Sequence, residues 1–583
     1  KKNVKIFVFC VIIKIIFYLE ILGDTMKSFS TLEDKEFLEN EMQFDNRFSE
    51  KTMYSFLSRS ADKFPERPAL SFQLKSGKND PAETLSWSKL KELITKSANY
   101  FRSLDLKESD VIAYILPNCN EAVITFLAGT CSSAVCPINP LLDPDQISSI
   151  LNEVNAKVVV TLAPFPKTDV AEKVNVALSK APNVTTLLEV DLKKYLSPPI
   201  SWLIPLLRPK IERKHSANIS NFNDVINKEN GRNLNFEDVQ DDRIGAFFHT
   251  GGTTGMPKIA RHNISSMIYQ GWCTTTVLSS WNETDSLICP LPMFHVFAVY
   301  PMLMTCVASG AHIIFPTPQG YRGDGVFENF WKLVERWKVS FMVMVPTAAT
   351  ALMQREVDAD VSSLKYAICG SAPLPKDLFN RFEERTGLKI LEGYGMTEAT
   401  CLISVNPPEG ERKVGSVGIP FPYTNLKIMH FDEKGDLLKD CSTNERGEIC
   451  ISSPGIANQV YTLEKVNQET SHKNFFRTGD LGFFDDDGYV WITGRAKDII
   501  IRGGHNIDPA LLEDLLSSHE EVAMVGVIGQ PDIKLGEVPC AYVEVVKDSK
   551  VTSSDLMRFI NEKSKDKLAI PAYIEIMDEL PKT

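Results

Sequence analysis

Threonines, glycines and one lysine cluster in a short segment that directly follows an apolar run. The segment is Thr250-Gly-Gly-Thr-Thr-Gly-Met-Pro-Lys258, and the apolar run before it covers residues 244–248. Small residues let backbone N–H groups approach an anion closely, hydroxyls add donors, and the lysine supplies positive charge. A plain hairpin turn would need neither the threonines nor the lysine. We therefore predict a phosphate-binding loop, although the Gly-x-x-x-x-Gly-Lys-Ser/Thr pattern of P-loop kinases and GTPases is absent.

Five further motifs carry residue types that suit nucleotide chemistry. In chain order they are Pro292-Met-Phe-His295, Gly370-Ser-Ala-Pro373, Gly393-Tyr-Gly-Met-Thr-Glu398, Thr478-Gly-Asp480 and Gly494-Arg-Ala-Lys-Asp498. Taken singly, each has an ordinary explanation, such as a packed core histidine, a surface carboxylate or a common turn. Their specificity comes from occurring together, in this order, after the predicted loop.

In this order the motifs resemble those of the adenylate-forming superfamily, which includes acyl-CoA synthetases, coumarate ligases, luciferases and the adenylation domains of peptide synthetases. The resemblance extends from about residue 50 to the end of the sequence. It implies that the chain activates a carboxylic acid with ATP as an acyl-adenylate and passes the acyl group to a thiol, here coenzyme A. It also implies magnesium, which takes oxygen ligands and shares them with phosphates.

The resemblance gives these residues roles. Glu398 resembles the family's magnesium-linked carboxylate, and Thr253 resembles the hydroxyl that also reaches the metal; these two, His295 and Lys497 are the residues expected to have catalytic roles. The nucleotide is expected to contact Thr250, Gly251, Gly252, Thr253, Thr254, Gly255, Lys258, Gly370, Ser371, Ala372, Pro373, Gly393, Tyr394, Gly395, Thr397, Asp480 and Arg495.

Within that set, the resemblance assigns some residues to the adenine base and others to the ribose. Tyr394, Gly395 and residues 370–373 resemble the walls of an adenine slot, where glycine permits close approach and an aromatic face can stack on the base. Asp480 resembles the acceptor for the two ribose hydroxyls, a task that suits a carboxylate. Arg495 is expected to contact the same ribose or a phosphate.

His295 matches the family histidine that lines the acyl pocket, so we expect it to position the substrate or to gate that pocket. A general base is not required for the first step, because carboxylic acids are already ionised at neutral pH. Adenylation then depends on placing a carboxylate oxygen in line with the α-phosphorus and on stabilising the charge of the leaving pyrophosphate.

Lys497 aligns with the family's hinge, about which a small C-terminal domain rotates so that one site serves adenylation and then thioester formation. Three positions depart from the family pattern. Gly251 replaces a frequent serine, as in some fatty-acyl members, and Ile501 replaces a lysine of luciferases and coumarate ligases. The sequence ends at Pro581-Lys582-Thr583, and Lys582 does not match the adenylation lysine, which we expect a few residues beyond Thr583. The sequence as it stands is therefore expected to adenylate poorly.

The elements that must position these residues alternate between helix and strand. Strand-like apolar runs occur at residues 110–116, 157–162, 311–316, 339–345, 365–369 and 389–391, with helical patterns between them, which predicts parallel sheets covered by helices. After about residue 494 the pattern becomes that of a small α+β unit. We predict an α/β protein with a large N-terminal domain of layered sheets and a small β-barrel over 26–493, and a mobile C-terminal domain over 494–583.

Composition narrows the class of protein. The formal net charge is −12, and no basic stripe of the kind that binds nucleic acid is present. The twelve cysteines form no CxxC pair, which argues against a disulfide framework or a structural zinc site and favours a reducing, cytoplasmic setting.

Two apolar segments bear on membranes. The run within residues 1–25 is either a membrane anchor or signal segment, or a translated leader ahead of Met26 as the true start, and the missing small-residue cleavage site before Met26 favours the leader. Residues 196–211, with Trp202, Leu206, Arg208 and Lys210, could contact a membrane surface. Their prolines favour a packed insertion instead, because prolines interrupt an amphipathic helix.

We conclude that the sequence predicts an AMP-forming acid–thiol ligase for a medium- or long-chain fatty acid. Three alternatives stay open: a CoA ligase for an aromatic or cyclic acid, a luciferase-like monooxygenase, and a non-catalytic relative that binds acyl or nucleotide ligands. The isoleucine at 501 weakens the luciferase alternative. The pocket residues that select the acid are not recognisable from a single sequence.

Overall fold

The computed structural model describes residues 29–250, 258–279, 281–432, 434–457, 459–464, 467, 470–503, 505–546, 549–564 and 567–581. The predicted leader at 1–25, five of the predicted loop residues (Gly251, Gly252, Thr253, Thr254 and Gly255) and Lys582 lie outside the described residues.

The strands, in chain order, are β1 (Pro68–Gln73), β2 (Ala82–Ser86), β3 (Val111–Ile115), β4 (Ala134–Pro137), β5 (Ala156–Leu162), β6 (Thr186–Val190), β7 (Asn218–Asn221), β8 (Ile244–His249), β9 (Ile259–Asn263), β10 (Ser286–Ile288), β11 (His312–Phe315), β12 (Phe341–Met344), β13 (Tyr366–Cys369), β14 (Lys389–Met396), β15 (Cys401–Val405), β16 (Ile419–Pro420), β17 (Asn425–Phe431), β18 (Leu437–Asp440), β19 (Gly447–Ser452), β20 (Ser471–His472), β21 (Phe475–Phe484), β22 (Val490–Arg495), β23 (Ile500–Arg502), β24 (His505–Ile507), β25 (Val522–Asp532), β26 (Gly536–Val545) and β27 (Tyr573–Met577).

The α-helices are Leu32–Glu41, Met53–Lys63, Trp87–Ser103, Asn120–Ser132, Pro144–Glu153, Val170–Leu178, Ile200–Leu207, Phe222–Ile226, Ile264–Val277, Val296–Ala298, Thr305–Ser309, Val326–Trp337, Pro346–Met353, Lys376–Thr386, Pro509–Ser517 and Ser553–Lys563. A π-helical turn, Val299–Met304, joins two of the short helices. Within the described parts of the chain, no helix is both long enough and apolar enough to span a membrane.

Two large sheets are mainly parallel, as the alternation of strand and helix predicts. One has the order β7-β6-β5-β3-β4-β8-β9, and the other has the order β16-β15-β14-β13-β12-β10-β11-β1-β2. Antiparallel pairs occur at their edges, where β8 pairs with β9, β14 with β15, β15 with β16 and β1 with β2. All five residues of β3 are buried, which is typical of a parallel strand covered on both faces.

A helix beside these sheets shows how the sequence selects its elements. Trp87–Ser103 begins at Ser86, whose side chain accepts a hydrogen bond from the Lys89 N–H at 3.2 Å and so satisfies one of the free amides of the first turn. Leu90, Ile94 and Phe101 lie on one face of the helix and are buried in the main core. The helical spacing of these apolar residues is therefore the signal that fixes its orientation.

The other two sheets belong to the end of the chain. A six-stranded antiparallel sheet has the order β18-β17-β19-β21-β20, with β22 on β21, and this order does not close on itself within the described residues, so the small β-barrel stays a prediction. A five-stranded sheet has the order β24-β23-β26-β25, with β27 parallel to β26, and has its own core with the two last helices. The chain passes between these sheets from Arg495 to Ile500, so the protein has the predicted large α/β part and a smaller α+β part.

The proline-rich segment at 196–211 differs from its prediction. It contains the helix Ile200–Leu207, with Pro205 inside it. Ile204 is buried, but Trp202 and Leu206 are 69% and 81% exposed, so the prediction that the segment packs as an insertion is wrong for most of its apolar side chains. Proline did not prevent the helix, because in a helix of two turns its missing N–H removes only the bond that would reach the Ser201 carbonyl.

Candidate active site

Several predicted residues lie just after the carboxyl ends of parallel strands. His295 follows β10, Gly370 follows β13, and Gly393 and Gly395 are in the last half of β14. In open α/β sheets this edge is where ligands bind. A Cβ placed on Gly370 would lie 3.4 Å from the Gly393 carbonyl oxygen and 3.4 Å from the Phe297 ring, so these three backbone segments meet at one place.

The predicted phosphate-binding loop joins two antiparallel strands, β8 and β9. Its base is closed by a hydrogen bond of 2.8 Å from the Thr250 N–H to the Lys258 carbonyl. Lys258 is exposed, and its ammonium lies 5.3 Å from the centre of the Tyr461 ring, within the range of a cation–π contact. The structure therefore fixes where the loop begins and ends, and which way its lysine extends.

Glu398 lies beside the base of this loop. The Tyr461 hydroxyl donates a hydrogen bond of 2.6 Å to the Oε1 atom of Glu398, while the same tyrosine ring contacts Lys258. Burial raises the pKa of Tyr461, so its hydroxyl stays protonated and can donate. Lys258, Tyr461 and Glu398 thus form a continuous group, which brings the predicted loop and the predicted metal carboxylate together.

A buried histidine fixes the backbone that carries Glu398. His262 donates from Nε2 to the Thr397 carbonyl at 2.6 Å, so its Nδ1 accepts from the Tyr300 hydroxyl at 2.7 Å. Burial lowers the pKa of His262 to about 4, which keeps the ring neutral and this pattern of donor and acceptor intact. His262 and Tyr461 were not predicted from the sequence, because neither lies in a recognisable motif.

His295 lies at an accessible surface, yet it is surrounded by enough protein to lower the pKa of its imidazole. Its Nδ1 accepts a hydrogen bond of 3.2 Å from the Phe297 N–H, so in the neutral ring Nε2 carries the proton. Among the described residues Nε2 has no hydrogen-bond partner, which leaves it as a donor for a ligand. Burial, and to a smaller extent the nearby charge of His295, lower the pKa of His249, next to Thr250, to about 4.

Asp480 connects the predicted ribose and adenine positions. Its Oδ2 accepts a hydrogen bond of 2.5 Å from the Tyr394 hydroxyl, and its Oδ1 accepts one of 3.1 Å from the Arg495 Nε–H. Burial raises the pKa of the Asp480 carboxyl, while these two donors act in the opposite direction. Since each carboxylate oxygen has a second lone pair, Asp480 can still accept from hydroxyl groups of a ligand.

The residues predicted to surround the adenine base differ in their burial. Tyr394 is only 8% exposed, with its ring packed in the core of the antiparallel sheet, so its predicted stacking on adenine stays a prediction. Ser371, Ala372 and Pro373 are exposed around the buried Gly370.

Lys497 lies in an exposed turn between the third and fourth sheets. Close by, Arg446 of the antiparallel part forms an ion pair of 2.7 Å with the buried Asp508 of the small part. That carboxylate also accepts from the Ala510 N–H at the start of the helix Pro509–Ser517. One ion pair thus joins the two parts beside the predicted hinge.

Comparison with known proteins decides the family. The model of the AMP-binding enzyme family matches residues 57–461, and that of the AMP-binding enzyme C-terminal domain matches residues 511–583. The chain belongs to the AMP-binding enzyme family.

Relatives of the chain are CoA ligases. It is 35% identical over 546 residues to marinolic acid–CoA ligase from Pseudoalteromonas sp. (strain SANK 73390), covering 92% of this chain and 80% of that protein. It is 28% identical over 558 residues to long-chain-fatty-acid–CoA ligase from Bacillus subtilis (strain 168), covering 93% and 94%. The fold matches that of ATP-bound MatB from Rhodopseudomonas palustris with a TM-score of 0.76 at 22% identity, over 91% and 96% of the two chains. The chain is therefore an acyl-CoA synthetase, an ATP-dependent CoA ligase of this family.

Proposed function

We propose that this acyl-CoA synthetase activates a medium- or long-chain fatty acid to its acyl-adenylate and then transfers the acyl group to coenzyme A. The observation that carries the proposal is the group formed by Lys258, Tyr461 and Glu398 at the base of the loop between β8 and β9. It combines a cation for phosphate, a carboxylate for a metal and a hydroxyl that holds the carboxylate in place.

The donor set at Glu398 suits magnesium. Tyr461 occupies only one lone pair of Oε1, so the carboxylate retains lone pairs for a hard cation, and magnesium favours such oxygen ligands. Glu398, together with the Thr253 hydroxyl expected from the sequence, would hold the ion. Bound magnesium supplies positive charge beside the phosphates of ATP.

The protein's own residues then position the reactants. Lys258 attracts the polyphosphate, Asp480 accepts from the ribose hydroxyls, and the base is assigned to the backbone around Gly370 and Gly393, where the lack of a Cβ permits close approach. The acid is ionised at neutral pH, so its carboxylate attacks the α-phosphorus without a general base and pyrophosphate leaves. Catalysis in this step is positioning and charge stabilisation.

His295 provides a hydrogen-bond donor for the acid. Its Nδ1 is held by the Phe297 N–H, and its lowered pKa keeps the ring neutral, so Nε2–H can donate to a carboxylate oxygen. A neutral donor orients the acid without pairing so strongly that the carboxylate loses its nucleophilic character. We assign His295 a positioning role at the acyl pocket.

Thioester formation needs a second arrangement of the same site. We assign residues 26–493 to the larger domain and 494–583 to the smaller one, with Lys497 as the hinge, because the chain changes sheets there in an exposed turn. Rotation at this point requires the Arg446–Asp508 ion pair to open. The pair therefore favours the arrangement described here over the rotated one.

Two observations favour a fatty acid. The relative from Bacillus subtilis that acts on long-chain fatty acids aligns over 93% of this chain, and Gly251 matches some fatty-acyl members of the family. Apolar side chains, among them Val296 and Phe297, are buried next to His295, which suits an alkyl chain better than a second charged group.

The test is acid-dependent exchange of labelled pyrophosphate into ATP, followed by thioester formation with coenzyme A, across butyrate, octanoate, palmitate, benzoate and coumarate. The assay uses the full-length protein. We expect the highest kcat/KM with octanoate or palmitate. A preference for benzoate or coumarate would contradict the fatty-acid assignment, and no exchange with any acid would contradict the catalytic one.

A further inference from the structure

The helix Ile200–Leu207 exposes an unusual amount of apolar surface. Five large side chains of this two-turn helix are exposed by 47% to 81%, while Ser201 and Ile204 face the protein. The five exposed side chains are Ile200, Trp202, Leu203, Leu206 and Leu207, and we call them the apolar patch. Contiguous exposed patches of this kind mark contact sites more often than ordinary surface.

The composition of the patch limits what can cover it. All seven tryptophans of the chain lie in described residues, and Trp202 alone is exposed. Tryptophan beside long aliphatic side chains, on a short helix, is typical of segments that lie in the headgroup region of a bilayer.

Positive charge follows directly after the patch. Residues 208–214 contain Arg208, Lys210, Arg213 and Lys214 against a single carboxylate, although the chain as a whole has a net charge of −12. Lys210 and Lys214 are exposed, and their ammonium groups have no ion pair among the described residues. A local excess of cations on an acidic protein is complementary to an anionic surface.

Several contacts hold this helix and the residues after it on the rest of the protein. Arg208 forms an ion pair with Asp191, and Arg213 donates to the backbone carbonyls of His215 and Ala217. With Ile204 buried as well, the helix is held from below while the patch faces solvent. An ordered apolar surface needs little further ordering to bind, which favours docking.

We propose that the apolar patch and the following cations dock the protein on the surface of a membrane that contains anionic lipid. The aliphatic and indole side chains enter the headgroup region, and Lys210 and Lys214 remain outside it, next to the lipid charges. This inference does not depend on which acid the enzyme activates. Docking is peripheral, because the helix is far too short to span the bilayer.

Flotation with vesicles tests the proposal. We expect the full chain to bind vesicles of phosphatidylcholine with phosphatidylglycerol, and to bind pure phosphatidylcholine vesicles more weakly. The double variant Trp202→Ser/Leu206→Ser is expected to weaken binding by at least about tenfold, since two large apolar side chains no longer insert. Lys210→Gln/Lys214→Gln is expected to weaken binding to the anionic vesicles by roughly fivefold per lysine, and to leave the neutral vesicles unaffected.

The matched control is Leu438→Ser, a leucine on β18 that is 65% exposed and distant in sequence from the patch. It is expected to bind as the wild type does. Because the apolar run within residues 1–25 can itself bind lipid, every comparison uses chains of equal length. Equal melting temperatures and pyrophosphate exchange rates for wild type and variants show that folding is unchanged.

Two results would overturn the proposal. One is equal vesicle binding by the wild type and Trp202→Ser/Leu206→Ser. The other is a wild-type dimer in light scattering that the double variant makes monomeric without any difference in vesicle binding, which would assign the patch to a second copy of the chain. A blue shift of tryptophan emission on anionic vesicles that disappears in Trp202→Phe would support the proposal independently.

Discussion

Replacing Tyr461 with phenylalanine tests how Glu398 is held. The change removes one hydroxyl and keeps the ring, which is 4% exposed, packs near Phe476 and contacts Lys258. The lost bond, 2.6 Å to a carboxylate oxygen, is of the charge-assisted kind, which contributes about 1.5–3 kcal/mol. Glu398 then regains rotamers that the hydroxyl excluded, which costs up to about 2 kcal/mol when the carboxylate must be ordered again.

Since about 1.4 kcal/mol corresponds to a factor of ten, we expect Tyr461→Phe to lower the pyrophosphate exchange rate roughly tenfold. We also expect a higher half-saturating magnesium concentration, because the loosened carboxylate must be ordered by the metal itself. The assay is the initial exchange rate against magnesium concentration at saturating acid and ATP.

The control is Tyr489→Phe, which removes a comparable hydroxyl bond of 2.7 Å to the Glu411 carbonyl. It is expected to lose stability but to keep its magnesium dependence. A folded Tyr461→Phe protein with the wild-type rate and magnesium dependence would refute the reasoning that the hydroxyl positions Glu398.

Three further outcomes are expected. Burial raises the pKa of Glu392 to about 7, so the contribution of this carboxyl group to the free energy of unfolding is full below pH 4.5 and is lost as pH rises through 7, by about 3 kcal/mol. In urea unfolding, Glu392→Gln should lose less stability than the wild type between pH 5 and 8, and an equal loss in the two proteins would contradict this. Burial lowers the pKa of His262 to about 4, so the contribution of its neutral ring to the free energy of unfolding is present above pH 6.5 and is lost as pH falls towards 4. The stability of His262→Gln should therefore fall less steeply with acid than that of the wild type, and equal acid profiles would argue against a neutral, buried ring. Arg446→Met should open the contact with Asp508 and speed tryptic cleavage at the Lys497 turn several-fold. The control Arg558→Met, which removes the exposed ion pair with Asp555, should not change the cleavage rate. Equal cleavage rates for the two variants would contradict the role of the Arg446–Asp508 pair in joining the two parts.

The parts of the fold that the sequence predicts are those with a local signal. Val111–Ile115 and Tyr366–Cys369 are strands within the apolar runs that predict them, because a buried strand needs a continuous apolar sequence. The motifs likewise follow strands at the edge where ligands bind, so their order along the chain already implies one site.

The contacts that complete the site have no local signal. Tyr461 and Glu398 are separated by 63 residues, and His262 and Thr397 by 135, so only the packing of different sheets brings them together. A buried histidine or tyrosine is common in any core, and its partner is set by tertiary structure. The sequence therefore identifies the residues of the motifs but not the neighbours that hold them.

In the proline-rich segment at 196–211, a local rule gives a wrong prediction, namely that prolines prevent a helix there. Pro205 is incompatible with a long helix, but the helix Ile200–Leu207 is short enough to lose little by it. Whether its apolar residues pack or stay exposed depends on the surface beneath them, which accepts only Ser201 and Ile204. No periodicity in the sequence specifies that outcome.

The central claim is that the loop between β8 and β9 binds the polyphosphate of a nucleotide while Glu398 holds magnesium beside it. Calorimetric titration of ATP into the wild type and Glu398→Gln, with magnesium and again with EDTA, tests this directly. We expect Glu398→Gln to weaken the binding of Mg·ATP by about tenfold or more, and to bind metal-free ATP as the wild type does. Equal affinities of the two proteins for Mg·ATP, or no binding of ATP by the wild type, would contradict the account.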